Sequence, residues 1–271
     1  MTFGVVSLVG AGPGDPQLLT CRAARRLADA DLVLYDGLVS ADVLALAAGA
    51  ECVCVSRRPG VKAIDQGTVN ARMIEAARAG RQVVRLKAGD PFVLGRGGEE
   101  ALVLAEAAVP FEIVPGLSAA VAAPAVAGIP VTHRGISSGF VVVSGHAADA
   151  YAPILGSLPP ASLTLVVLMG FAERASIARL LQEKGWSAET PAAIITNATQ
   201  DERQGIWTGV LAVLGEALAS ASPEDAHTIV VGEVVSVGAV IARALRSSSD
   251  SRREHESGSE YVRPRPALVR R

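Results

Sequence analysis

The sequence predicts an α/β protein of two domains, the first built on a parallel-rich sheet and the second on a mixed one. Three observations predict it. Up to about residue 131, short β-branched runs alternate with amphipathic segments at the spacing of strand–helix–strand units. Past Thr132-His133-Arg134-Gly135 the pattern restarts, with apolar runs separated in places by turns rather than by helices. Finally, three β-branched runs leave into the glycine-rich turns Gly10-Ala11-Gly12-Pro13-Gly14-Asp15, Ala88-Gly89-Asp90-Pro91 and Pro115-Gly116-Leu117-Ser118. A strand end followed by residues without bulky side chains lets a ligand reach the main chain, so three such ends point to one shared small-molecule site.

Residues 5–9 form the first strand. A helix is expected over 16–29, with Leu18, Leu19, Ala23 and Leu27 on one face; Asp15 before Pro16 pairs an N-cap with a proline at the first helical position. A strand over 32–35, a helix over 41–48, a strand over 52–55, a helix over 66–79 stopped by Gly80, and a strand over 83–86 follow. Phe111-Glu112-Ile113-Val114 is the next β-branched run. Residues 117–131 are apolar, but Pro124, Gly128 and Pro130 break them into a small-residue helix and turn, too short to span a membrane. The second half reads as strands over 140–144 and 164–169, a helix over 172–184 ended by Gly185, a strand over 192–196, a helix through 210–220 and a strand over 228–235. The boundary falls at 135–139, dividing the chain into domains 1–135 and 136–246. From Ser247 the composition turns to Ser, Arg, Glu and Pro without apolar periodicity, which cannot offset the entropy of ordering, so 247–271 is expected as a disordered tail.

Composition narrows the function. A chain of 271 residues, half of them hydrophobic, has enough apolar surface for two cores. A net charge of −2 gives no field to gather nucleic acid or an anionic membrane, while local basic clusters suit an acidic small molecule. No basic segment followed by a long apolar stretch opens the chain, so a cytoplasmic protein is expected. Three cysteines, Cys21, Cys52 and Cys54, cannot all pair within one chain, and no histidine stands at ligand spacing from any of them; no metal site is expected.

Gly10-x-Gly12-x-Gly14 makes a poor dinucleotide fingerprint. Pro13 removes an amide donor, and Asp15-Pro16 puts a carboxylate and a second proline where a phosphate needs free N–H groups. That turn belongs instead to an ordered set: Val9-Gly10-Ala11-Gly12-Pro13-Gly14-Asp15, Tyr35-Asp36-Gly37-Leu38-Val39-Ser40, Arg85-Leu86-Lys87-Ala88-Gly89-Asp90-Pro91-Phe92, Gly95-Arg96-Gly97-Gly98-Glu99-Glu100 and Gly128-Ile129-Pro130-Val131-Thr132-His133-Arg134. Together these motifs resemble the uroporphyrinogen-III C-methyltransferases of the tetrapyrrole methylase family. The similarity continues through Leu168-Met169-Gly170 and Ile229-Val230-Val231-Gly232-Glu233-Val234-Val235.

The resemblance implies two α/β domains with S-adenosylmethionine in the cleft between them, usually in a homodimer. It implies transfer of two methyl groups onto rings A and B of uroporphyrinogen III, giving precorrin-2 through precorrin-1 for sirohaem, cobalamin or haem d1. The dehydrogenase–ferrochelatase domain fused to some members is not expected here. Methyl transfer from a sulfonium to carbon is an in-line displacement without a metal, so the protein mainly supplies alignment, worth up to roughly 7–11 kcal/mol in favourable cases. By position in the family motifs, Pro13, Ala88, Gly89, Asp90, Val93, Ser118, Ala119, Met169 and Ala198 are implied cofactor contacts, mostly through backbone atoms. Arg96, Glu99 and Arg134 are implied on the substrate side, where guanidinium groups match the carboxylates that fringe the macrocycle. Arg96 and Glu99 also have the spacing of an ordinary i,i+3 pair at a helix start. Asp36 matches the family's proton acceptor, and is equally a turn-forming Asp before Gly37.

Three departures stand out. Ser56-Arg57-Arg58-Pro59-Gly60 replaces the family's Gly-Lys-Arg-Ala-Gly, so Arg57 occupies the proton donor's position; a guanidinium stays charged near neutral pH and suits holding a carboxylate better than giving a proton. Ala88 stands for the usual Gly, strained only if that position needs positive φ. Ser118 stands for Thr and keeps the hydroxyl. His227, where a small residue is usual, reads as packed or hydrogen-bonded rather than catalytic, and His133 and His146 as structural. The residues leave three other functions open: a methylase of a later corrin precursor, a noncatalytic sensor of S-adenosylmethionine, and a dinucleotide oxidoreductase.

Overall fold

A computed structural model describes residues 3–56, 64–217 and 225–244. Two five-stranded sheets follow each other along the chain. The first contains β1 (Val6–Gly10), β2 (Leu32–Tyr35), β3 (Glu51–Cys54), β4 (Val83–Lys87) and β5 (Phe111–Val114) in the order β3-β2-β4-β1-β5, every neighbour parallel. The second contains β6 (Phe140–Ser144), β7 (Thr164–Leu168), β8 (Pro191–Thr196), β9 (Gly205–Val210) and β10 (His227–Val231) in the order β6-β7-β10-β8-β9; β6 and β7 are parallel and the other pairs antiparallel. The expected parallel-rich and mixed sheets are both present.

Helices α1 (Cys21–Ala28), α2 (Ala41–Leu44), α3 (Gln66–Arg78), α4 (Gly97–Glu106) and α5 (Ala119–Val126) alternate with or follow the first five strands. Helices α6 (Ala148–Leu155), α7 (Arg174–Glu183) and α8, residues 234–244, belong to the second half. The two-residue period of the strands explains how the first sheet is covered on both faces. Val9, Val33, Val84 and Leu86 pack with Leu27 and Val43 of α1 and α2, while Leu8, Leu34 and Val83 pack on the opposite side with Met73 of α3 and Leu104 of α4. Each such fully buried side chain stabilises by about 1.5–3 kcal/mol relative to leaving it in water.

Several boundaries differ from the sequence expectation, each for a local reason. The helix expected over 16–29 is two pieces: Asp15 caps a single 3₁₀ turn at Pro16–Leu18, Leu19 and Thr20 turn extended, and the Thr20 hydroxyl caps α1 by accepting from Ala23 N at 3.1 Å. Residues 41–48 likewise split into α2 and a 3₁₀ turn, Ala45–Ala47. The helix expected through 210–220 is absent from its described part. Residues Gly205–Val210 form β9, an antiparallel partner of β8, and Leu211–Glu216 is a 3₁₀ segment whose three-residue period buries Leu211 and Leu214 together. The last strand stops at Val231, and Gly232, with φ of +143°, turns the chain into α8.

Helix α5 precedes the expected boundary at 135–139, yet it packs on the second sheet. Its Ala123 and the capping Ala127, with Ile129, join Ala193, Ile195, Val230, Val234 and Val235 in one cluster of small and β-branched residues. The expected tail, 247–271, lies outside the described residues.

Candidate active site

The carboxyl ends of β1, β4 and β5 meet at one point, as ligand sites in parallel sheets do. Ala11 N donates to Lys87 O at 2.8 Å, and Gly12 and Gly89 exchange two main-chain hydrogen bonds of 3.1 and 2.9 Å. Asp90 ties in the third turn: one carboxylate oxygen accepts from Phe92 N at 2.8 Å and the other from Gly116 N at 3.0 Å. The approach is close enough to require glycine. A Cβ on Gly116 would lie 2.3 Å from Gly89 O and 2.7 Å from Gly10 Cα. Gly89 itself has φ of +71°.

These turns form one wall of a cleft of about 2490 Å³ whose far wall comes from the second sheet, through Met169, Phe171, Asn197, Thr199 and His227. The walls touch where Asp15 N donates to Thr199 Oγ1 at 3.1 Å. Five residues other than glycine that line the cleft hold positive φ: Leu94, Arg96, Met169, Asn197 and Thr199. Each such conformation costs about 1–2 kcal/mol, and strain of this kind concentrates where a site must present particular groups.

The residues singled out from sequence are placed as follows. Pro13, Asp36, Ala88, Gly89, Asp90, Val93, Arg96, Ser118, Ala119 and Met169 all line the cleft. Ala198 is buried between the lining residues Asn197 and Thr199. Glu99 does not line it but grips Arg96, with Nη2 to Oε2 at 2.6 Å; both side chains are more than half exposed at the start of α4. Arg134 is exposed in a turn and is not among the lining residues; its carbonyl lies 2.9 Å from His133 Nδ1. Arg57 lies outside the described residues. Ala88 is not among the residues with positive φ, so the side chain there brings no backbone strain. The Ser118 hydroxyl caps α5 by accepting from Ala120 N at 3.2 Å. His227 stacks on Phe171 with ring centroids 4.0 Å apart, and His146 Nδ1 lies 2.7 Å from Ser144 Oγ.

Beneath Asp36 lies a charged network that the motifs did not flag. Arg85 and Lys87 leave β4 on the face covered by α3 and α4, and meet Glu100 of α4. Arg85 Nη2 donates to Asp36 Oδ1 at 2.5 Å and Nε to Glu100 Oε1 at 2.8 Å, while Nη1 reaches the carbonyls of Leu34 and Leu86 at 3.3 and 3.2 Å. Lys87 Nζ sits 3.2 Å from Glu100 Oε2 and 3.9 Å from Asp36 Oδ2. Side-chain exposure is 4% for Arg85, 3% for Lys87 and 0% for Glu100, against 27% for Asp36, so Asp36 is the outlet of the network into the cleft. Burial pushes the Lys87 ammonium below its ordinary pKa and neighbouring Arg85 adds to this, with Asp36 and Glu100 pulling the other way. Burial also opposes the charge on Arg85, but Asp36 and Glu100 outweigh it and hold its pKa above the ordinary value. The signal was present in Val83-Val84-Arg85-Leu86-Lys87: two cations on one face of a strand that is buried along its whole length.

Among the described residues no helix is long and apolar enough to cross a membrane. The profile of the Tetrapyrrole (Corrin/Porphyrin) Methylases matches residues 5–215. Over 240 residues the chain is 43% identical to a uroporphyrinogen-III C-methyltransferase of Methanocaldococcus jannaschii, covering 86% of this chain and 98% of that protein. It is 49% identical over 234 residues to the siroheme synthase of Neisseria meningitidis serogroup B, covering 86% of this chain and 48% of that protein. The chain thus spans about half the length of the siroheme synthases it matches. Among solved structures, a uroporphyrin-III C-methyl transferase from Thermus thermophilus complexed with S-adenosylhomocysteine aligns with a TM-score of 0.73 at 40% identity, covering 86% of this chain and all of that one. With the sequence profile, the two-sheet architecture and the cleft in agreement, the chain belongs to the tetrapyrrole (corrin/porphyrin) methylase family.

Proposed function

We propose that the protein transfers methyl groups from S-adenosylmethionine to carbon on uroporphyrinogen III, at rings A and B in turn, giving precorrin-2 by way of precorrin-1. The observation that carries this reading is the cleft, which sets bare main chain at Gly12 and Gly89 beside the half-buried carboxylate of Asp36 and the guanidinium of Arg96. Likeness to uroporphyrinogen-III methyltransferases over nearly their full length supports the choice of substrate.

The open backbone fits the cofactor. The turn at Gly89 lines the cleft in a conformation that favours glycine, and a Cβ on Gly116 would press on its carbonyl, so glycine at both positions keeps that turn in place beneath a ligand. Pro13, Ala88, Gly89, Asp90, Val93, Ser118, Ala119, Met169 and Ala198 would hold it. When bound, the cofactor supplies an electrophilic sulfonium methyl. Residues 1–135 contribute the substrate side and the glycine floor, and residues 136–246 the opposite wall. Arg96, steadied by Glu99, and Arg134 hold substrate carboxylates. Arg57 does the same from the position where the family carries a lysine. Asp36 accepts the proton that the methylated ring must lose, and Arg85 fixes which oxygen faces the cleft. The enzyme works as a homodimer in the cytoplasm, its product feeding later steps of tetrapyrrole synthesis.

The test is incubation with uroporphyrinogen III and methyl-labelled S-adenosylmethionine under reducing conditions. A dimethylated product, preceded by a monomethylated one, is expected. Recovery of the tetrapyrrole without label would reject the assignment.

A further inference from the structure

We propose that Lys87 is a positioning residue for Asp36: its buried ammonium, seated on Glu100, sets the charge that faces the Asp36 carboxylate and keeps it turned into the cleft. The inference deepens the reading of Asp36 as proton acceptor and rests on it. Three features carry it. Lys87 Nζ lies 3.9 Å from Asp36 Oδ2, the oxygen that Arg85 leaves free of its 2.5 Å hydrogen bond. Glu100 Oε2 is buried, makes no directed hydrogen bond and faces the ammonium at 3.2 Å, so Glu100 anchors the amine beneath Asp36. And the network closes on itself as two cations and two carboxylates, with only Asp36 reaching solvent.

The residue type adds to the geometry. The sequence holds three lysines, Lys62, Lys87 and Lys184, among 25 basic residues, and the family's lysine at position 57 is here an arginine. Among the described residues of this network, then, Lys87 is the cation whose charge can change, since a guanidinium cannot give up its proton in a protein. Other ionisable groups face this point from each surrounding element: Arg85 from β4, Glu99 and Glu100 from α4, and Asp42 of α2 in the same cleft; α3 contributes the uncharged Gln66, whose amide donates to Glu100 Oε1 at 3.1 Å. An opposite charge at 4–6 Å lowers a carboxyl pKa by about 1–3 units, and a like charge raises it. Removing Lys87 or Glu100 therefore changes the charge facing Asp36 in opposite senses.

The experiment is carbon-13 NMR titration of the Asp36 carboxyl in the full chain without cofactor, with kcat–pH profiles beside it. In the unaltered protein the Asp36 signal is expected to carry a second inflection at the midpoint of the Lys87 amine. Lys87→Met is expected to raise the Asp36 midpoint by about 1 unit and to carry the acidic limb of kcat up with it, leaving KM for S-adenosylmethionine within about twofold; Glu100→Gln moves both down, and Lys87→Arg restores the parent limb. An Asp36 signal without the second inflection overturns the proposal, even if neither variant folds. So does a folded variant with lowered thermal stability and an unmoved Asp36 midpoint, which marks a merely structural lysine. If the midpoint moves as stated while the labelled assay yields no methylated product, the network stands and the functional reading falls.

Discussion

Adding one methyl group at Gly116 tests whether the three turns hold each other in place. The Cβ of Gly116→Ala would stand 2.3 Å from Gly89 O and 2.7 Å from Gly10 Cα. Carbon contacts settle at about 3.5–4.0 Å, so one turn must retreat by roughly an ångström. Neither neighbour is free to do so. Gly10 is in register with Lys87 in the β1–β4 ladder, and Gly89 is bound to Gly12 by two main-chain hydrogen bonds. Overpacking against such backbone lies at the upper end of the usual range, about 3 kcal/mol. For a chain of this length each kcal/mol lowers Tm by about 2–4 °C, so the variant should melt about 6–12 °C below the parent. Its affinity for S-adenosylhomocysteine, measured by calorimetry, should fall at least about tenfold, because the added methyl presses on Gly89, one of the proposed cofactor contacts. Gly49→Ala is the control: a Cβ there meets nothing within 4 Å, and Tm should stay within about 2 °C of the parent. A Gly116→Ala protein that melts with the parent and binds S-adenosylhomocysteine equally well would refute the reasoning.

Further expectations concern the departures and the surface pairs. Ala88→Gly relieves no backbone strain and only loosens the unfolded chain, so it should cost about 0.5–1 kcal/mol in denaturant titrations and leave S-adenosylhomocysteine binding unchanged; tighter binding would contradict the backbone described at 88. Arg96→Ala breaks an exposed pair with Glu99 and should leave Tm unmoved while raising KM for the tetrapyrrole about tenfold, as losing one charge-assisted hydrogen bond does; an unchanged KM would make the pair a surface ornament. The Arg26 guanidinium, helped by the Ser7 hydroxyl, holds the Glu112 carboxyl below its ordinary pKa against the opposing effect of partial burial. Such a group stabilises fully above the unfolded pKa and loses that contribution as pH falls through the folded one. The Tm gap between the parent and Glu112→Gln should therefore be constant near neutral pH and close below about pH 4; a gap that stays open in acid would contradict the linkage.

Much of the first sheet was legible in the chain because parallel strands covered on both faces are continuous apolar runs, as in Val6–Gly10 and Leu32–Tyr35, and because their ends carry glycine. The second half was less legible. β9 alternates only weakly and is exposed along much of its length, so its pairing with β8 is set by tertiary contact rather than by its own pattern. The apolar run after Thr228 looked like one strand, but Gly232 divides it, and Val234 and Val235 serve a helix instead. At the site, motif position located the turns, whereas Glu100 was masked by standing beside Glu99. Two adjacent carboxylates on a helix point about 100° apart, so one joins an exposed pair and the other disappears into the protein. Only the packing of α4 on β4 decides which.

The seating of α5 reaches beyond the cleft. Four residues, Pro115 to Ser118, connect a strand of one sheet to a helix glued to the other, and they include the main chain that Asp90 holds. Any swing between the halves must tug this short strap, so widening the mouth and disturbing the bed beneath it are a single motion. The halves are also inseparable in practice: severing the chain after residue 135 would strip Ala123, Ala127 and Ile129 of their cover, leaving a sticky stump in place of a foldable fragment.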